Sequence, residues 1–134
     1  MSADDNVKTV QTVYEAFGRG DVEAILEAVA DDVDWASEAA STVAPWYGIK
    51  HGKAGVLSFF EAFGSAIEVL EFTPLTFTSN DTDVMTVIDY RSKVRATGIE
   101  SRMHLLHYFK FRDSKIAYYR GSEDTAQTVA ALQG

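Results

Sequence analysis

No cysteine occurs in the 134 residues, which rules out disulfides and thiolate metal sites. A chain without disulfides suits a reducing compartment, and the cytoplasm is the expected location. No stretch approaches the run of about 18 apolar residues that a membrane-spanning helix needs. Positive charge is scarce: 12 Lys and Arg face 20 Asp and Glu, a formal net charge of −8. A phosphate-backbone partner calls for clustered basic side chains, so nucleic acid is not expected. The segment from Met1 to Val7 is polar and acidic and does not read as a secretion signal.

What is present is ordinary for a globular protein, with 46% hydrophobic and 24% charged residues. The length suits one domain over residues 1–134, able to bury roughly two thirds of its unfolded surface without cross-links.

From Asp4 or Asp5, apolar residues recur at Val7, Val10, Val13, Tyr14 and Phe17, the stripe of an amphipathic helix that Gly18 and Gly20 end. Asp21 is a good N-cap for a second short helix carrying Val22, Ile25, Leu26 and Val29. Asp31-Asp32 breaks the pattern, and Val33, Trp35 and Ser37 then alternate as in a short strand. A loop from Glu38 to about Lys50 carries Trp46 and Tyr47. A third helix presents Val56, Leu57, Phe59, Phe60 and Phe63, with Gly64 expected to close it.

Beyond that point the period is two. Strands are expected over 67–78, 83–97, 101–112 and 115–122, with Pro74 marking a bulge or an edge. Asp124 caps a short C-terminal helix. Helices followed by an antiparallel meander predict an α+β fold with helices packed on one face of a curved sheet. Aromatic and polar residues on the inward positions suggest a pocket there.

The order of motifs resembles that of SnoaL-like, or NTF2-like, proteins. Tyr14-Glu15-Ala16-Phe17-Gly18-Arg19-Gly20-Asp21 is similar to their "Y-x-A-F/L-x-x-G-D" helix end. Ala30-Asp31-Asp32-Val33-Asp34-Trp35 resembles "A/P-D-D-V-x-W", and Gly52-Lys53-Ala54-Gly55-Val56 the start of the third helix. Phe109-Lys110-Phe111-Arg112-Asp113-Ser114-Lys115-Ile116 resembles the "F-x-F-x-D-G-K-I" hairpin, with Ser114 in place of glycine. Arg120 and Asp124-Thr125 match the outer letters of "R-D-Y-F-D-T". The resemblance implies a cone: a strongly curved antiparallel sheet with three N-terminal helices and a short C-terminal one. It also implies a pocket for a small hydrophobic molecule and a homodimer. The superfamily holds isomerases, polyketide cyclases, epoxide hydrolases and dehydratases, and also binders without catalysis. It does not by itself choose between a cofactor-free acid–base enzyme and a ligand carrier.

In the ketosteroid isomerase pattern of this fold, an Asp base works beside a Tyr and a protonated Asp. Counting from the motifs, that tyrosine falls on Val13 rather than Tyr14, the base on Ser37 next to Glu38, and the protonated acid on His107. His107 shares a strand face with Met103, Leu105 and Phe109, where desolvation would favour the neutral imidazole. A core histidine bonded to backbone is the competing reading.

Glu123 follows Tyr119 and Gly121 on one face of the last strand, where burial would raise its pKa for acid–base work. It could equally lie in the first turn of the last helix. Glu38 could serve only with a shift of register. Asp89 and Arg91 resemble an epoxide hydrolase pair, but Lys93 and Arg95 extend them into a charged surface stripe. Trp35, Trp46, Tyr47, Tyr14, Phe17 and Tyr119 are the expected lining of the pocket. His51, His104 and His107 lack acids at ligand spacing, so no metal is expected, and no cofactor motif is present.

Overall fold

A computed structural model describes residues 2–134. Helix α1 spans Ala3–Gly18, and its start is fixed by a capping box between Ser2 and Asp5. Its buried positions, Asn6, Val10, Val13 and Ala16, follow the helical period. Helix α2 spans Val22–Ala28, with Asp21 accepting a hydrogen bond from the Ala24 N–H as the sequence predicts.

Strand β1, Val29–Ser37, begins earlier than expected. Asp31 and Asp32 do not interrupt it: they point outward where the register with the last strand shifts, between Val29 and Asp34. The following loop contains an unexpected strand, β2, Gly48–His51, paired antiparallel with Asp34–Ser37. Three of its four residues are exposed, so it has no apolar alternation by which to be read.

Helix α3, Gly52–Ala66, buries Val56 and Phe59. Leu57 is instead 40% exposed, being off the face that meets the sheet. Gly64 does not end the helix, because the chain runs two residues further and passes straight into the next strand. There the Ile67 N–H donates to the Phe63 carbonyl.

Strands β3 (Ile67–Ser79), β4 (Asp83–Val94), β5 (Glu100–Arg112) and β6 (Lys115–Ser122) form the antiparallel part of the sheet. The strand order is β2-β1-β6-β5-β4-β3, an open six-stranded sheet in which β1 runs parallel to β6. β3 is an edge, and its register slips between Pro74 and Thr76, so Pro74 marks both features. β4 stops three residues short of the expected end, where Gly98, at φ +75°, turns the chain.

Alternation along β4 and β5 sorts the two faces. Thr86, Ile88 and Tyr90 look inward with Met103, Leu105 and Phe109, while His104, Leu106 and the Asp89–Lys93 stripe look outward. α1 lies against β3 and β4, and α3 against β1. Helix α4, Thr125–Gln133, is capped by Asp124 and tied to β5 through Gln127 and Arg102. The architecture is therefore α+β, helices over one face of a curved, unclosed sheet.

Candidate active site

The helices do not seal the inward face completely. A cavity remains between α1, α3 and the sheet, open to solvent at its mouth. Helix α1 contributes Val13, Tyr14 and Phe17; helix α3 contributes Phe59, Phe60 and Phe63. Trp35 and Ser37 come from β1, and Trp46 from the loop after it. The sheet supplies Phe72, Tyr90, Leu105, His107, Phe109, Tyr119 and Gly121, with Ser122 and Glu123 at the end of β6. A concave, chiefly aromatic space with a few polar groups is the common form of a small-molecule site.

His107 and Tyr14 meet inside it. The Tyr14 hydroxyl lies 2.8 Å from His107 Nδ1 and 2.7 Å from the Thr86 hydroxyl. The imidazole is walled by the rings of Tyr14, Phe72, Phe109 and Tyr119. Burial pushes its pKa down to about 3, so it stays neutral at physiological pH. Burial also pushes the Tyr14 phenol up, which keeps its proton in place. A neutral histidine is thus hydrogen-bonded to a side chain, not to backbone. A helix residue that the isomerase pattern passes over reaches the same point as β5.

Glu123 closes the other polar cluster. Tyr47 donates to its Oε2 at 3.1 Å, and the Thr128 hydroxyl donates to the same oxygen. Oε1 takes part in no hydrogen bond with the described residues. Burial raises the Glu123 pKa, and the two hydroxyl donors oppose part of that rise.

Most of the expected lining is brought together. Trp35 stacks on Tyr119 with ring centroids 4.1 Å apart, and Trp46 packs edge-on to Phe63. Phe17 both lines the cavity and packs on Phe60, Phe63 and Phe72. Tyr47 is not among the lining residues, but it packs edge-on to Trp46 and donates to Glu123.

Glu38 is not brought there: it is exposed and belongs to a separate shallow depression with Ile49 and Arg120. The register shift it needed does not occur, since Ser37 lies inside the cavity and Glu38 is turned out. Asp89 is on the outer face, paired with Arg102 at 2.9 Å, and Arg91 with Glu100 at 2.8 Å. His104 is exposed, and His51 stands at the start of α3 without a side-chain cap bond.

Thr86, Phe72 and Tyr90 were not singled out from sequence. For Thr86 and Tyr90 a signal exists: each sits one residue out of phase with the Asp89–Arg91 stripe on β4. Among the described residues no group of three or more His, Asp or Glu is placed to hold a metal ion. No described helix is long and apolar enough to cross a membrane.

Solved structures of the same shape are numerous. An NTF2-like protein from Burkholderia xenovorans LB400 is 24% identical, covers 98% of each chain and has a TM-score of 0.88. One of unknown function from Burkholderia pseudomallei K96243 is 24% identical over 97% of this chain and 98% of its own, with a TM-score of 0.90. TerC, crystallised with polyporic acid, is 20% identical over 97% of this chain and 99% of its own, with a TM-score of 0.87. At these identities the likeness shows the fold alone. No curated protein matches the sequence. The SnoaL-like domain family, by contrast, matches residues 10–119, a span that includes Tyr14, Trp35, His107 and Tyr119, and the chain belongs to it.

Proposed function

We propose that the chain is a cofactor-independent acid–base enzyme, of the isomerase, cyclase, dehydratase or epoxide hydrolase type, acting on a small hydrophobic oxygenated compound. The observation that supports this most is the 2.8 Å Tyr14–His107 bond within an aromatic cavity that also holds Glu123. With Tyr14 donating to Nδ1 and Thr86 donating to Tyr14, the ring proton sits on Nε2 and can polarise a substrate carbonyl. A neutral imidazole does this without the cost of burying a cation. Reversing each bond turns Nε2 into an acceptor, so the same three residues offer either role uncharged. Glu123, with its raised pKa, takes a proton from the carbon beside the carbonyl and returns it to another atom of the same molecule. Nε2–H meanwhile holds the enolic oxygen.

Deuterium uptake by a simple cyclic ketone such as 2-tetralone in D₂O, read by mass spectrometry, tests this directly. The wild type should exceed the buffer rate, and His107→Ala should lose about 10²–10⁴-fold with its circular dichroism intact. Unchanged exchange in that variant removes His107 from the mechanism.

A carrier or sensor built on the same cavity is favoured by one observation. By count from the sequence motifs the isomerase base falls on Ser37, not on a carboxylate, and Ser37 lines the cavity. That reading expects binding without conversion and tolerance of His107→Gln. Under either reading the chain pairs into a homodimer through the outer sheet face, where Met85 and Leu106 are 52% and 49% exposed. A strict monomer in sedimentation at both low and high salt would count against the pairing.

A further inference from the structure

We infer that the cavity sorts ligands by charge: it takes uncharged ring compounds bearing a phenolic or enolic hydroxyl, seated on Glu123, and turns organic anions away. The inference rests on the reading above only in taking this cavity as the binding site.

Three features support it. First, no lysine or arginine stands among the described residues that line the cavity, and its one ionisable acid is Glu123. Arg120, adjacent in sequence to Gly121, lies on the other side of β6, ion-paired with Asp34 at 3.0 Å and over the Tyr118 ring. Secondly, His107 remains neutral where it lies, so it brings no positive charge either. Thirdly, both protein donors to Glu123 converge on Oε2, leaving Oε1 to be met by something else.

An entering carboxylate would give up its hydration, find no cation, and face the negative surfaces of the rings and a carboxyl group. A neutral hydroxyl loses far less water and can donate to Oε1 in a charge-assisted bond. An ammonium would also reach Oε1, but a buried ion pair gains little over a neutral donor once both charges are desolvated.

The probes are four naphthalenes of one shape: 2-naphthol, 2-methylnaphthalene, 2-naphthoate and 2-naphthylmethylamine. Calorimetric titration of the full chain at pH 7.5 should rank 2-naphthol first, at least tenfold tighter than 2-methylnaphthalene and a hundredfold tighter than 2-naphthoate. Glu123→Leu should bring the naphthol and its methyl analogue within about threefold. Glu123→Gln, which keeps the shape, should narrow the gap to 2-naphthoate.

Any of three results overturns the inference: 2-naphthoate within threefold of the naphthol, the amine binding tightest, or no probe binding at millimolar concentration. These are affinities and not rates. Loss of the proton-transfer reading through an active His107→Ala variant would leave the ranking intact, and a wrong ranking would leave turnover untouched.

Discussion

The hydroxyl of Tyr119 occupies the place where a β-carbon of residue 121 would stand, and the ring carbon bearing it would lie 3.1 Å from that atom. Gly121 is therefore required for space, since its backbone is not in the left-handed region. Glycine lets the phenol fold along β6 and stack on Trp35, on the same face as His107 and Glu123. Gly121→Ala should displace the ring and cost about 1–3 kcal/mol, as overpacking does. Urea denaturation would measure it. A midpoint equal to the wild type would mean that the phenol is free to move.

His107 should make stability fall in acid. Its folded pKa of about 3 lies below the ordinary 6.5, so between those values the unfolded chain binds a proton that the folded chain refuses. The contribution is complete above pH 6.5 and is lost as pH falls, at about 1.4 kcal/mol per pH unit for this one group. Unfolding free energies of wild type and His107→Gln, compared from pH 7 to 4, isolate it. Parallel curves would show that the folded protein already accepts the charge.

Glu123 should act in the opposite sense. Its raised pKa means that the folded state holds its proton more tightly, so its favourable contribution is present at low pH and fades as pH rises through the folded value. Glu123→Gln should accordingly become less destabilising, relative to wild type, as pH climbs from about 4.5 towards neutrality. A pH-independent difference would place the carboxyl in water.

The turn between β5 and β6 sets both Asp113 and Ser114 at positive φ, 50° and 68°. That is the geometry of a tight hairpin turn, in which a glycine avoids the clash of Cβ with the backbone. Ser114→Gly should raise stability by roughly 0.5–1 kcal/mol, the relief of strain exceeding the added freedom of the unfolded chain. A lower melting temperature in the variant would contradict this.

Where apolar periodicity was strong, the sequence could be read closely: α1 from Val7, Val10 and Val13, and β4 to β6 from their alternation. The short strand β2 could not, because its residues bury almost nothing and its pairing with β1 is a long-range backbone matter. Leu57 shows a similar limit, since an apolar residue beside a helix stripe need not belong to it. Within the site, period two put His107 and Glu123 on inward faces. The Tyr14–His107 bond joins positions 93 apart in sequence and depends on how α1 is rolled against the sheet. Helical spacing alone does not set that roll. Glu38 failed for a local reason, as a single step past Ser37 reverses the direction of the side chain.

The parallel seam between β1 and β6 has a consequence for how the protein comes into being. Trp35 and Tyr119, stacked across that seam, come from the first and the last strand of the chain. A nascent polypeptide therefore has no complete cavity until its final strand has emerged and docked. Such distant closure makes for slow folding, and any small molecule bound only by the finished form would stabilise that form by mass action.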